Sequence, residues 1–209
     1  MSPTPASPSV TQLPAATYRV MPWRNGLGTT TEIAIEPGAG DRFRWRVSIA
    51  DVPSSGPFSN FPGYDRLIAV VSGAGMRLAV DKRATVLLDQ ASAPYGFPGD
   101  APTECTLVGG PIRDFNLILD RASTVGSLAR LRFPVPSALP SLDGGTALLH
   151  ALAGRLTVDA GALGTWMVAE GDTLRLDGVT DVPMIAGEAD GEALLATIKP
   201  RDGTGSDPA

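Results

Sequence analysis

Hydrophobic side chains in this chain recur at every second position, in short bursts separated by turn residues. In FRWRVSIA (43–50), Phe43, Trp45, Val47 and Ile49 share one face, and Arg44, Arg46, Ser48 and Ala50 share the other. In TTEIAIE (30–36), Thr31, Ile33 and Ile35 oppose Glu32, Ala34 and Glu36. In RDFNLIL (113–119), Asp114, Asn116 and Ile118 oppose Phe115, Leu117 and Leu119. Similar runs begin at residues 66, 76, 84 and 105, and again at 147, 155, 165, 172, 182 and 192. Gly, Pro and Asp punctuate the gaps. Only STVGSLARL (123–131) reads as a short helix. Many short strands at close spacing predict an all-β sandwich or barrel.

A repeat divides the chain. Leu78-x-Val80-Asp81 and Leu156-x-Val158-Asp159 each follow a turn glycine, Gly75 and Gly154. The reading is a hairpin and turn used twice. It gives a tail over 1–16, a first unit over 17–121, a Pro-rich linker over 122–137, a second unit over 138–200, and a tail over 201–209. The final strands are allowed to swap between units.

Composition narrows the chemistry. The 24 Gly and 19 Pro disfavour long helices. No apolar run reaches membrane-spanning length, and residues 1–16 lack the basic and apolar regions of a signal peptide, so a cytoplasmic soluble protein is expected. With 17 basic and 22 acidic residues and no long basic run, nucleic acid and membrane are not expected partners. Of the basic residues only Lys82 and Lys199 are lysines, so an anion site would use Arg. One Cys (Cys105) excludes an intrachain disulfide, and one His (His150) excludes metal sites with two imidazoles. His150, inside the apolar ALLHAL, reads as a core residue rather than a base, and Cys105 as a small core residue.

Four segments carry candidate chemistry. PWRNGLGTTTEI (22–33) combines Trp23 and Asn25 with two glycines and three threonines; it is either a turn or a loop that approaches a ligand. GPFSNFPGYDR (56–66) is stiffened by Gly and Pro and anchored by two Phe; it is either an apolar plug or a pocket wall. The Arg46 and Ser48 face looks either to solvent or to a lumen, where Arg46 would need a protein carboxylate such as Asp65 or Asp114, or a ligand carboxylate. The Asp114–Asn116 face is either a pocket wall or a solvated edge.

Together MPWRNGLGTTTEI (21–33), FRWRVSIADV (43–52), GPFSNFPGYDRLIAVVSGAGMRL (56–78) and DFNLILDR (114–121) resemble the HutD/Ves family, with Leu27 where the family pattern has a glycine. The resemblance covers about residues 18–200. It implies a bicupin, two cupin-like β-barrel or sandwich units in one chain, with few short helices and often a homodimer. Cupins often hold a metal through His and Glu. Here the corresponding positions fall near Arg66 and near Ser59 and Phe61, or Asn60 and Pro62, which implies a metal-free cupin without a cofactor. The resemblance further implies a regulator of bacterial histidine utilisation whose ligand is a small acid such as formylglutamate, formiminoglutamate or urocanate. Such an acid would suit a first-unit pocket with Arg46 and Arg66, polar Asn25, Thr29, Ser48 and Asn116, and aromatic walls Trp23 and Phe61.

Two functions of different class follow. One is a metal-free binding protein for a small acidic metabolite. The other is a metal-independent isomerase or hydrolase, with Asp65, Asp114 or Glu32 as general acid or base. Scarcity of His favours binding, and no catalytic residue is assigned.

Overall fold

The computed structural model of the protein describes residues 7–201 apart from 24, 25, 27, 83, 84 and 143. In chain order the strands are β1 (Ser9–Leu13), β2 (Arg19–Pro22), β3 (Thr29–Pro37), β4 (Phe43–Val52), β5 (Gly56–Pro57), β6 (Tyr64–Ser72), β7 (Met76–Val80), β8 (Val86–Leu88), β9 (Tyr95–Pro98) and β10 (Thr103–Leu107). They continue as β11 (Ile112–Asp120), β12 (Thr124–Arg132), β13 (Ser137–Ala138), β14 (Thr146–Ala153), β15 (Leu156–Asp159), β16 (Thr165–Val168), β17 (Thr173–Asp177), β18 (Met184–Gly187) and β19 (Glu192–Pro200). Among the described residues the only helical pieces are 3-10 turns at Ala15–Thr17 and Gly161–Leu163.

Four open antiparallel sheets result. A six-stranded sheet (β2-β3-β4-β11-β6-β9) and a four-stranded sheet (β5-β10-β7-β8) make the first unit. A five-stranded sheet (β1-β17-β14-β19-β12) and a four-stranded sheet (β13-β18-β15-β16) make the second. The strand orders superpose: β4-β11-β6-β9 corresponds to β12-β19-β14-β17, and β5-β10-β7-β8 to β13-β18-β15-β16. The repeat read from LxVD is therefore the β7 and β15 members of an eight-strand unit used twice. The chain is all-β with two cupin-like units, and of the sandwich and barrel forms expected for them the open-sheet sandwich is the one found.

Three apolar layers hold these sheets together. Ile68, Val70, Met76, Leu78 and Cys105 fill the first unit, and Leu149, Leu156, Val158, Leu174 and Ile185 fill the second. The third layer lies between the two large sheets, where Trp45, Val47, Phe115 and Leu117 meet Leu148, Leu194 and Ala196. This assigns both faces of β4. Its Trp45–Val47–Ile49 face packs on the second unit, so Arg46 and Ser48 point into the first.

Four expectations change. Residues 123–131 are not a helix. Their apolar residues at 125, 128 and 131 have helical spacing, but β12 pairs with β19 over all nine of its residues, and tertiary pairing overrides local propensity. The expected linker thus contains β12 and the first residue of β13. Within the expected tail, Ser9–Leu13 is a strand added to the edge of β17, so it is the first strand, not the last, that crosses to the other unit. Residues 1–6 and 202–209 lie outside the described residues. In β3 a bulge between Glu32 and Ala34 breaks the alternation, leaving Ile33 buried and Ile35 exposed.

Candidate functional site: a cavity inside the first unit

Strand register writes the site onto the inner face of the six-stranded sheet. Arg46, Ile118 and Arg66 stand side by side across β4, β11 and β6. The next row on this face is Ser48, Asn116 and Ile68, and the next Ala50, Asp114 and Val70. The row spacing is the two-residue period of a strand, so Arg, Asn and Asp at alternate positions necessarily fall together.

All of these except Ile68 and Val70 line a cavity of about 550 Å³. Trp23, Thr30 and Met21 form one side, and the segment from Ser54 to Phe61 the other. That segment is fixed to the four-stranded sheet: the Phe58 amide donates to the Thr103 carbonyl at 2.9 Å and the Leu107 amide to the Ser55 hydroxyl at 2.9 Å. The Phe61 amide donates to the Gly99 carbonyl at 2.8 Å. Trp23 donates Nε1–H to Thr30 Oγ1 at 2.9 Å. Gly28 is required beneath it, since a Cβ there would come within 2.6 Å of the Asp51 carbonyl and 2.8 Å of the indole.

Two guanidinium groups share this cavity. Arg66 is only 6% exposed, sits between the rings of Phe58, Phe61 and Phe97, and donates from Nη2 to Asn116 Oδ1 at 2.6 Å. Arg46 lies near the rings of Phe43 and Phe61 and forms no ion pair among the described residues. The Nε atoms of both are buried without a hydrogen-bond partner. Burial lowers the pKa of both arginines, that of Arg66 to about 10; Arg46 repels Arg66, while Glu32 supports the charge on Arg46 and Asp114 that on Arg66.

Asp114, 1% exposed, completes the constellation. Its Oδ1 accepts from the Asn116 amide, and its Oδ2 is buried and unpartnered. Burial raises its carboxyl pKa to about 6, against the opposing pull of Arg66 and Asn116.

Most of the expected site residues converge. Trp23, Arg46, Ser48, Phe61, Arg66 and Asn116 line the cavity. Thr29 does not: its hydroxyl donates to Asp51 Oδ2 at 2.7 Å, holding the start of β3, and the neighbouring Thr30 faces the cavity instead. Asn25 lies outside the described residues. Asp65 is engaged by Arg121 at 2.8 Å and takes no part. Asp114, named only as a possible partner or base, is a wall of the cavity, and its place on the Asn116 face was the signal for it. The 56–66 segment, read as either an apolar plug or a pocket wall, brings Phe58 and Ser59 to the cavity, whereas Ser54 and Ser55 just before it were missed because loop walls carry no period. His150 is a satisfied core residue, its Nδ1 2.9 Å from Thr173 Oγ1.

A cupin metal does not fit here. The position of the usual Glu holds Arg66, and Ser59 offers Arg66 its backbone carbonyl at 3.5 Å. Two guanidiniums would repel a cation, and among the described residues no group of three or more His, Cys, Asp or Glu could hold one. No helix among the described residues is long and apolar enough to cross a membrane.

Comparison with known proteins agrees on one family. The HutD family model matches residues 15–195. An uncharacterised 21.2 kDa protein of Pseudomonas putida, named for its place in the hutC 3′ region, is 42% identical over 168 residues, covering 79% of this chain and 86% of its own. Protein Ves of Citrobacter koseri is 38% identical over 100 residues, 47% of this chain and 52% of its own. HutD from Pseudomonas fluorescens SBW25, solved in a formate condition, superposes with a TM-score of 0.79 at 34% identity, covering 92% of this chain and 100% of its own. Oxalate decarboxylase of Bacillus subtilis shares the fold alone, with a TM-score of 0.62 at 8% identity over 93% of this chain and 78% of its own.

Proposed function

This chain belongs to the HutD family, and from that membership and the chemistry of the cavity we propose that it is a metal-free binding protein for a small acidic metabolite that tunes histidine utilisation in the cytoplasm. One observation carries the reading: Arg46 and Arg66 flank Ile118 in a partly enclosed cavity, each with a buried Nε lacking a partner. An unpaired guanidinium out of water is costly, and a carboxylate is its natural complement. Trp23, Phe58 and Phe61 offer flat apolar contact to the rest of a small organic acid, as a formylglutamate, formiminoglutamate or urocanate would present.

Thermal shift and calorimetric titration with these three acids test the reading. A ligand that binds only the folded state raises the melting temperature as its concentration grows. Absence of both shift and heat for all three would remove the proposal. A second reading draws on Asp114, whose raised carboxyl could move protons during a metal-independent isomerisation or hydrolysis. Turnover of a bound acid, abolished in Asp114→Asn, would establish it.

A further inference from the structure

Asp114 is more deeply enclosed than an acceptor for an arginine needs to be. No ion pair closes between it and either arginine; Arg66 reaches it only through the Asn116 side chain. Asn116 spends its Nδ2–H on Oδ1, which leaves Oδ2 as the unsatisfied oxygen of a cavity-lining carboxyl. A charged Oδ2 in that position would face an incoming carboxylate with like charge. A protonated Oδ2 would present it with a donor.

We propose that Asp114 is the specificity residue of the cavity: on binding it takes a proton onto Oδ2 and donates that O–H in a hydrogen bond to a carboxylate oxygen of the bound acid, so the cavity takes up an anion together with one proton. This inference rests on the binding reading above. The proton comes from solvent, no covalent bond changes, and the arginines neutralise the ligand charge. The groups around Asp114 are consistent with it. Arg66 on β6 favours its charged form, Asp51 on β4 opposes it, Arg46 stands across the same sheet face, and Cys105 on β10 is buried with its own thiol pushed up to about 11. Burial outweighs the attraction of Arg66, and the carboxyl keeps its proton to about pH 6. The ligand class is therefore a carboxylate or dicarboxylate, whose charge the two arginines select and whose oxygen the protonated Asp114 meets.

Formylglutamate is the suitable probe, because simple carboxylates are fully ionised above about pH 6. Calorimetry at pH 7 in buffers of different ionisation enthalpy counts protons. The expected result is uptake approaching one proton per ligand, with affinity falling about tenfold per pH unit above pH 7. Asp114→Asn keeps a donor at this position without a titrating proton. It should bind with no proton uptake, with a flat pH profile, and more tightly than wild type at pH 8. Binding by wild type without proton uptake overturns this inference and leaves the binding reading standing. Absence of binding overturns both. If the variant does not fold, the wild-type proton count decides alone.

Discussion

Arg46 and His150 are both charged or chargeable groups removed from water, but the structure treats them oppositely. Arg46 is left open to the cavity, without an ion pair and with an unsatisfied Nε. Arg46→Ala should weaken acid binding by about 1.5–3 kcal/mol, the range for hydrogen bonds to charged groups. Arg46→Lys should weaken it too, since the planar fork is lost. Both should fold, because Arg46 closes no ion pair among the described residues and Glu32 acts on it only at longer range. Titrations with formylglutamate beside melting curves check this, and unchanged affinity in Arg46→Ala would take the side chain out of the site. His150 is instead closed in, held by Thr173 and packed on Phe115 at 5.5 Å. Burial, with Arg113 nearby, lowers its pKa to about 4. Its folded value lies below its unfolded one, so its stabilising contribution is present above about pH 6.5 and is lost as pH falls towards 4. Asp114, raised to about 6, has the opposite sign: its contribution is full below about pH 4 and is lost as pH rises through 6. Comparing His150→Gln with wild type cancels the Asp114 contribution. Urea midpoints should show the wild type losing up to about 3 kcal/mol more than the variant between pH 6.5 and 4. Parallel pH profiles would refute it. Alternation placed Arg46 and Ser48 on one face, but solvent and lumen were indistinguishable until the second unit was seen to cover the opposite face.

At the scale of elements, β1 does the unexpected work. Its five residues pair with β17, Gln12 donates to the Met167 carbonyl at 3.2 Å, and Asp172 accepts from the Ala15 amide at 2.8 Å. Tyr18 locks the return, its hydroxyl donating to the Leu13 or Gly171 carbonyl and meeting Thr173 Oγ1 at 2.7 Å. Deleting residues 1–14 should cost about 2–5 kcal/mol, several ladder hydrogen bonds at roughly 1 kcal/mol each, and leave β17 as a bare edge prone to pairing with other chains. Denaturation midpoints and light scattering read both effects. An unchanged midpoint would mean that β1 merely rests on the sheet. No sequence signal announced β1, because SVTQL is polar and largely exposed and its partner lies more than 150 residues away. The helix expected over 123–131 failed for the same reason: Gly126 lies so close to the Thr197 carbonyl, 2.5 Å from where a Cβ would be, that its value is apparent only beside β19.

For the whole molecule, the layer between the two large sheets decides how it unfolds. It joins buried residues of β4 and β11 to those of β14 and β19. Arg130 adds a strap, donating to the Val70 carbonyl of the first unit and pairing with Glu192 of the second, each at 2.6 Å. The units should therefore unfold together. Leu148→Ala should cost about 2–5 kcal/mol through the cavity it leaves. Variants retaining only Trp45 in the first unit or only Trp166 in the second should report coincident midpoints; separated midpoints would show independent units. The sequence by itself determined the strand periodicity, the duplicated hairpin, the poverty in His and Cys, and the pairing of Arg46 with Ser48 and of Asp114 with Asn116 on their strand faces. These properties are local, carried by a two-residue period and by composition. Tertiary structure alone decided that these faces look into a cavity, that Asp114 is buried with its carboxyl pushed up to about 6, that Thr30 rather than Thr29 turns inward, and that β1 joins the far unit. Each of these depends on which distant strand lies alongside, and on the water it excludes.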